Sequence, residues 1–143
     1  MIHSEKSVES TIKKCKSMQS RLIISILYYS AATSKDVIHV TYKDFNIFNH
    51  TVRLGNAEYK LPGHIITALC EHVAKSGNRT GSLFTGIQNK PLYHKYIATV
   101  VSDNFGKLTK PHHIRQSRIS HWMKLMPKEH AKRMGRMHSR AKR

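Results

Sequence analysis

Thr109-Lys110-Pro111-His112-His113-Ile114-Arg115 is the stretch on which the reading of this chain turns. Pro111 carries the fixed backbone angle that suits a first helical turn, and Thr109 just ahead of it is placed as a helix cap. On such a helix His112 and Arg115 stand three residues apart and share a face, so an imidazole and a guanidinium can reach one phosphate together. A guanidinium suits that target because its planar fork meets phosphate oxygens with two hydrogen bonds at once. Ile114, Ile119, Trp122 and Met126 fall on one side of the same helix, as a core stripe should.

The surroundings of this stretch are strongly basic. From Lys107 to Arg143 there are twelve Lys and Arg but one acid, Glu129, and the whole chain is formally +17. A polyanion is the expected partner, with counterion release supplying most of the non-specific attraction to DNA or RNA. Charge alone names this class without naming a reaction.

Composition narrows the remainder. The chain has 143 residues, 39% of them hydrophobic, with seven Gly and four Pro, which suits one domain with a buried core. Cys15 and Cys70 stand far apart with no C-x-x-C spacing, so no disulfide scaffold or zinc ribbon is indicated, and no metal or cofactor is expected. The apolar run Leu22 to Tyr29 is too short to cross a bilayer, and no signal sequence opens the chain. An intracellular protein of the nucleus or nucleoid is expected, without a membrane or small-molecule partner.

Working outward along the chain, Ile12, Cys15, Met18, Leu22 and Ile26 recur at helical steps and predict one long or broken helix from Val8. A short helix is expected over Lys35 to Val40. Strands are expected at 45–48, 51–54 and 58–61, with turns at Asn49-His50 and Gly55-Asn56. Pro62-Gly63 leads into a helix with Ile65, Ile66, Leu69, Cys70 and Val73 inward and Gly77 as its stop, followed by a buried connector at Leu83-Phe84. Asn89 and Pro91 are placed at the start of a helix with Leu92, Tyr96, Ile97, Val100 and Val101 inside, ending near Gly106. A last helix is expected from about Pro127, carrying Met134 and Met137. The fold class is therefore α+β: mainly helical, with a small three-stranded antiparallel sheet.

In this order the residues resemble the catalytic domain of the tyrosine recombinases, the phage-integrase family of DNA strand-exchange enzymes. The resemblance spans roughly Val8 to Ser139. It runs through the apolar segment from Leu22 to Asp36, the three strands, Lys60-Leu61-Pro62 and Gly81-Ser82-Leu83-Phe84. It ends with the H-x-x-R box at His112 and Arg115 and a distorted G-H-S turn at Met134-Gly135-Arg136-Met137-His138-Ser139. The resemblance implies a tyrosine that attacks a DNA phosphodiester while guanidinium and imidazole groups hold the nonbridging oxygens. By position, Arg115 would clamp the phosphate, and His112 would donate a hydrogen bond or move a proton. His138 would be a further donor. Lys35, Arg53, Lys60, Lys110, Arg118 and Arg136 are the expected DNA contacts, and self-association into dimers or tetramers on duplex DNA is implied.

The departures are equally definite. Thr33 stands where the resemblance sets its first arginine, with Lys35 the nearest cation. Where a lysine is expected to aid the leaving oxygen, the stretch Arg53-Leu54-Gly55-Asn56 offers only Arg53, with Lys60 one strand later. The expected nucleophilic tyrosine, shortly after the G-H-S histidine, is not found before Arg143, and the N-terminal DNA-clamping domain is also lacking. The expectation is thus a single domain over 1–143 that holds a DNA phosphodiester but is inactive as it stands, degenerate or cut before its nucleophile. The alternative is a small basic RNA-binding or ribosome-associated protein in which the H-x-x-R spacing is accidental.

Overall fold

A computed structural model describes residues 2–76, 82–84 and 92–125 of the chain. The element order is α1 (Glu5–Lys14), α2 (Met18–Tyr29), α3 (Ser34–His39), β1 (Phe45–Asn46), β2 (Thr51–Leu54), β3 (Ala57–Lys60), α4 (Gly63–Ser76), α5 (His94–Phe105) and α6 (Pro111–Leu125), with a 3-10 turn over Tyr42–Asp44. Every residue from Leu22 to Tyr29 is buried. A helix apolar all round belongs inside, and α2 accordingly packs against α1, α3, α4, α5 and α6.

The expected first helix is two helices. Ser17 is extended and its side chain accepts from Ser20 N, starting α2 afresh. Arg21 reaches back to close the end of α1, donating to Lys13 O at 3.2 Å and Cys15 O at 3.3 Å. The apolar spacing runs through this break, which is why periodicity alone does not reveal it.

The end of α2 decides where the functional residues go. Ala32 N donates to Leu27 O and Ala31 N to Tyr28 O, the paired bonds of a Schellman cap. The left-handed position of that cap, usually glycine, is Ala31, at φ 49. Thr33 then caps α3: its hydroxyl accepts from Asp36 N, and its own N–H and hydroxyl both reach Asp36 Oδ2, at 2.8 and 3.0 Å. Thr41 and Asp44 repeat the device at the 3-10 turn.

The sheet has the order β1-β2-β3, antiparallel throughout, with Phe45 opposite Val52, Val52 opposite Tyr59 and Arg53 opposite Glu58. Val52, Leu54 and Tyr59 face the core, so Thr51, Arg53, Glu58 and Lys60 share the outer face. Strand β1 is shorter than expected because Asn46 Oδ1 accepts from Asn49 N and turns the chain at once. Strand β3 begins and ends one residue early. Leu83 and Phe84 are buried as expected, with Leu83 N donating to Val40 O at 2.9 Å.

Two helix readings need correction. Cys70 is exposed, and Ala68 takes the inward place beside Leu69. Helix α5 starts at His94, with Tyr93 extended at φ −141, so Leu92 is buried ahead of the helix and not on its face. Gly106, at φ 110, ends α5 as expected, in a conformation that only glycine adopts without strain. Gly77, Asn89, Pro91, Met126, the helix expected from Pro127, Met134 and Met137 lie outside the described residues.

Candidate DNA phosphate site

Helix α6 carries the two residues that opened the sequence argument. Thr109 is buried, and its hydroxyl is hydrogen-bonded to His3 Nε2 at 3.2 Å. His113 Nδ1 accepts from Lys110 N at 2.9 Å and closes the first turn. That bond requires an unprotonated Nδ1. Desolvation and then the neighbouring His112 lower the pKa of His113, in keeping with its acceptor role. His112 is exposed in the same first turn, its ring 4.2 Å from that of His113.

Arg115, one turn on, is half-buried, and its Nε donates to Ala31 O at 3.0 Å. This bond joins α6 to the α2–α3 junction across 84 positions of sequence. The left-handed turn at Ala31 aims the carbonyl, and the guanidinium is thereby brought to the segment that holds Thr33 and Asp36. Tyr59 reports the same neighbourhood. Its hydroxyl is pushed up to about 12, first by burial and then by the Asp36 carboxylate, with Arg115 drawing it back in part. Its ring is stacked on Trp122 with centroids 6.0 Å apart, which fixes the C-terminal part of α6 against the sheet.

The weaker cations divide. Lys35 and Arg53 line one surface groove of about 240 Å³ with Asp36, His39, Asp44 and Leu54. Arg53 is also ion-paired to Glu58 at 3.0 Å, an exposed pair of little energetic weight. Lys60 is turned toward the β1–β2 turn and donates to Asn49 O at 2.8 Å. Lys110 is exposed at the start of α6. Arg118 is placed otherwise: its guanidinium lies 5.0, 5.3 and 5.3 Å from the ring centres of Tyr28, Tyr29 and Trp122, with Glu5 at 3.9 Å. That is a packing position, and its side chain is only 17% exposed. His138 and Arg136 lie outside the described residues.

Buried beside Arg118 is a pair that the sequence did not reveal. Tyr28 and His121 are hydrogen-bonded through the phenol oxygen and Nδ1. Burial pushes the Tyr28 hydroxyl up to about 12 and is the first cause lowering the pKa of His121, so a phenol donating to a neutral imidazole is the favoured arrangement. Positions 28 and 121 have no sequence relation that would mark them as partners.

No protein-family model and no curated protein matches the sequence. Solved structures do match. A XerA recombinase aligns with a TM-score of 0.75 at 14% identity, covering 87% of this chain and 50% of its own. A XerH site-specific recombinase bound to difH substrate, in a pre-cleavage complex, aligns at 0.70 and 19% identity, covering 87% of this chain and 43% of its own. The Tn1549 transposon integrase in complex with circular intermediate DNA aligns at 0.69 and 14% identity, covering 94% and 56%. This chain has the tyrosine recombinase catalytic fold.

It spans about half the length of the recombinase structures it matches. Thr33 is a helix-capping residue here, committed by two side-chain hydrogen bonds to Asp36.

Proposed function

We propose that this chain binds duplex DNA and grips a backbone phosphate with Arg115, with His112 beside it and Lys35 and Arg53 on neighbouring phosphates. Lys60, Lys110, Arg136 and His138 complete the proposed contact set; Arg118 is left to packing. The observation that carries the reading is the Arg115 Nε bond to Ala31 O, which holds a guanidinium at the α2–α3 junction beside a groove lined by two further cations. A recombinase fold whose relatives include structures bound to DNA supports the choice of polyanion.

The proposal is for holding over cutting. Thr33 stands where the resemblance sets an arginine, and the stretch from Arg53 to Asn56 offers no lysine where one is expected, so the charge that builds up on a phosphate during transfer would meet fewer donors. Binding is proposed to proceed by dimers or tetramers on DNA, in the compartment where DNA resides. A covalent protein–DNA adduct formed by this chain, seen on a denaturing gel, would overturn the inactive reading.

The test of the site compares Arg115→Ala and Arg115→Lys with the peripheral Lys75→Ala, on duplex DNA and on RNA of matched length. Hydrogen bonds to charged groups contribute about 1.5–3 kcal/mol, so Arg115→Ala should weaken DNA binding roughly 10- to 150-fold. Arg115→Lys, which keeps charge and loses the fork, should recover only part of this. Lys75→Ala should cost a few-fold at most. Equal small losses at both positions, with RNA preferred, would replace the proposal with RNA binding.

A further inference from the structure

The turn between β1 and β2 ends in a bare aromatic ring. Phe48 is 97% exposed, yet the turn that carries it is held at several points. Asn49 N donates to Asn46 Oδ1 at 3.0 Å, Lys60 Nζ to Asn49 O at 2.8 Å, and Leu61 N to His50 O at 2.8 Å. His50 adopts φ 55 and its ring packs against Gly63. A phenyl ring held out into water by a fixed turn gives up the stabilisation that burial would bring.

The surroundings of the ring select its partner. Phe48 borders a groove of about 460 Å³ with the half-buried Phe45 and Ile47 and with Lys43, Asn46, Thr51 and Arg53. Two acids, Asp44 and Glu58, also line it; Asp44 is bound to Thr41 N and Oγ1, and Glu58 is paired with Arg53. The other exposed large hydrophobic residues among those described, Ile2, Tyr93 and Leu108, do not line this groove. A protein partner would seek a wider apolar patch. A ring that stands clear of the half-buried Phe45 and Ile47 and is flanked by cations suits a ligand with a flat π-face and negative charge on either side. Asp44 and Arg53 also line the groove of Lys35, so the two grooves share a wall.

We infer that Phe48 is a nucleobase contact: it stacks on, or wedges beside, a base of DNA whose backbone lies on Lys43 and Arg53. The inference rests on the DNA-binding reading and adds to it a place where the duplex is opened or unstacked. A mismatched or otherwise unpaired base is the preferred form, because the cost of unstacking is already met.

The test measures the affinity of the full 143-residue chain, with Phe48→Ala and Phe48→Trp, for a fully paired duplex and for one with a mismatch. Because the ring is exposed, its removal leaves the fold intact, which the melting temperature checks. Phe48→Ala should weaken binding by roughly 5- to 100-fold, most on the mismatched duplex, with the salt dependence unchanged. Phe48→Trp should bind like the parent, and its added indole emission should fall when DNA is bound. Equal affinity of Phe48→Ala and the parent on both duplexes overturns the inference, even where Arg115→Lys remains impaired and DNA binding stands. Failure of the parent chain to bind either duplex removes both readings. A switch from dimer to monomer in Phe48→Ala, with DNA affinity intact, overturns it in favour of a contact between copies.

Discussion

Replacing Thr33 with arginine should trade fold stability for grip, and both sides of the trade can be worked from the α3 cap. The substitution removes the hydroxyl that accepts from Asp36 N and donates to Asp36 Oδ2. It leaves the backbone half of the box, because Thr33 N still donates to Asp36 Oδ2 at 2.8 Å. Losing an N-cap hydroxyl typically costs about 1 kcal/mol, which for a chain of this size lowers the melting temperature by about 3–4 °C. The new guanidinium would stand at the junction that already holds Arg115, where it repels its neighbour until a phosphate lies between them. One added phosphate contact steepens the dependence of log K on log salt by about 0.9 for B-DNA. Thr33→Ala separates the two effects, since it loses the cap without adding a cation. Salt titrations by fluorescence anisotropy, with melts on the same samples, should show both variants destabilised alike and Thr33→Arg alone steeper in salt and tighter at low salt. A Thr33→Arg slope equal to that of Thr33→Ala would refute the placement of a phosphate at this junction.

Three further outcomes follow from the same geometry. Tyr28→Phe keeps the buried ring but leaves His121 Nδ1 without its donor, so denaturant melts should show a loss of about 1–3 kcal/mol; an unchanged midpoint would deny the bond. His3, His64, His113 and His121 all have pKa values lowered from 6.5, with burial the first cause in each. Folding therefore favours their neutral forms: their contribution is complete above about pH 6.5 and is lost as pH falls through the lowered folded-state values, so melting temperatures should decline on acidification below that point. A melting temperature that rises over this range would contradict the sign. Arg118→Met should leave DNA affinity within about twofold and lower the melting temperature, because it removes a guanidinium packed on three rings, contacts that contribute about 0.5–2 kcal/mol. Lost affinity with a shallower salt slope would return Arg118 to the phosphate set.

Patterns that repeat at short range were readable from the sequence. Gly55-Asn56 marked the tight turn between β2 and β3, and Gly106 marked the end of α5, because each carries its conformational cause in its own composition. The three-residue spacing of His112 and Arg115 gave their common face for the same reason. The signal for the α1–α2 break was also present, in Ser17 at three residues before Ser20, but an unbroken apolar spacing outweighed it. Other features depend on partners distant in sequence. Nothing in the sequence marked the Thr109 hydroxyl as a partner of His3, 106 positions away, and Arg118 looked like one more surface cation until Tyr28, Tyr29 and Trp122 surrounded it. The left-handed turn at Ala31 carried no compositional mark, because the residue there is not the glycine such a turn prefers.

That alanine ties the robustness of the fold to its readiness for ligand. A residue bearing a β-carbon stores roughly 1–2 kcal/mol when held left-handed, and this stored energy sits in the peptide whose carbonyl receives Arg115. The guanidinium is thus fastened to the least relaxed link of the backbone between α2 and α3. Glycine at position 31 would ease that link but also loosen the unfolded chain, and it would remove the methyl group that narrows the directions in which the carbonyl can point. A substitution at this one position would therefore change durability and aim together.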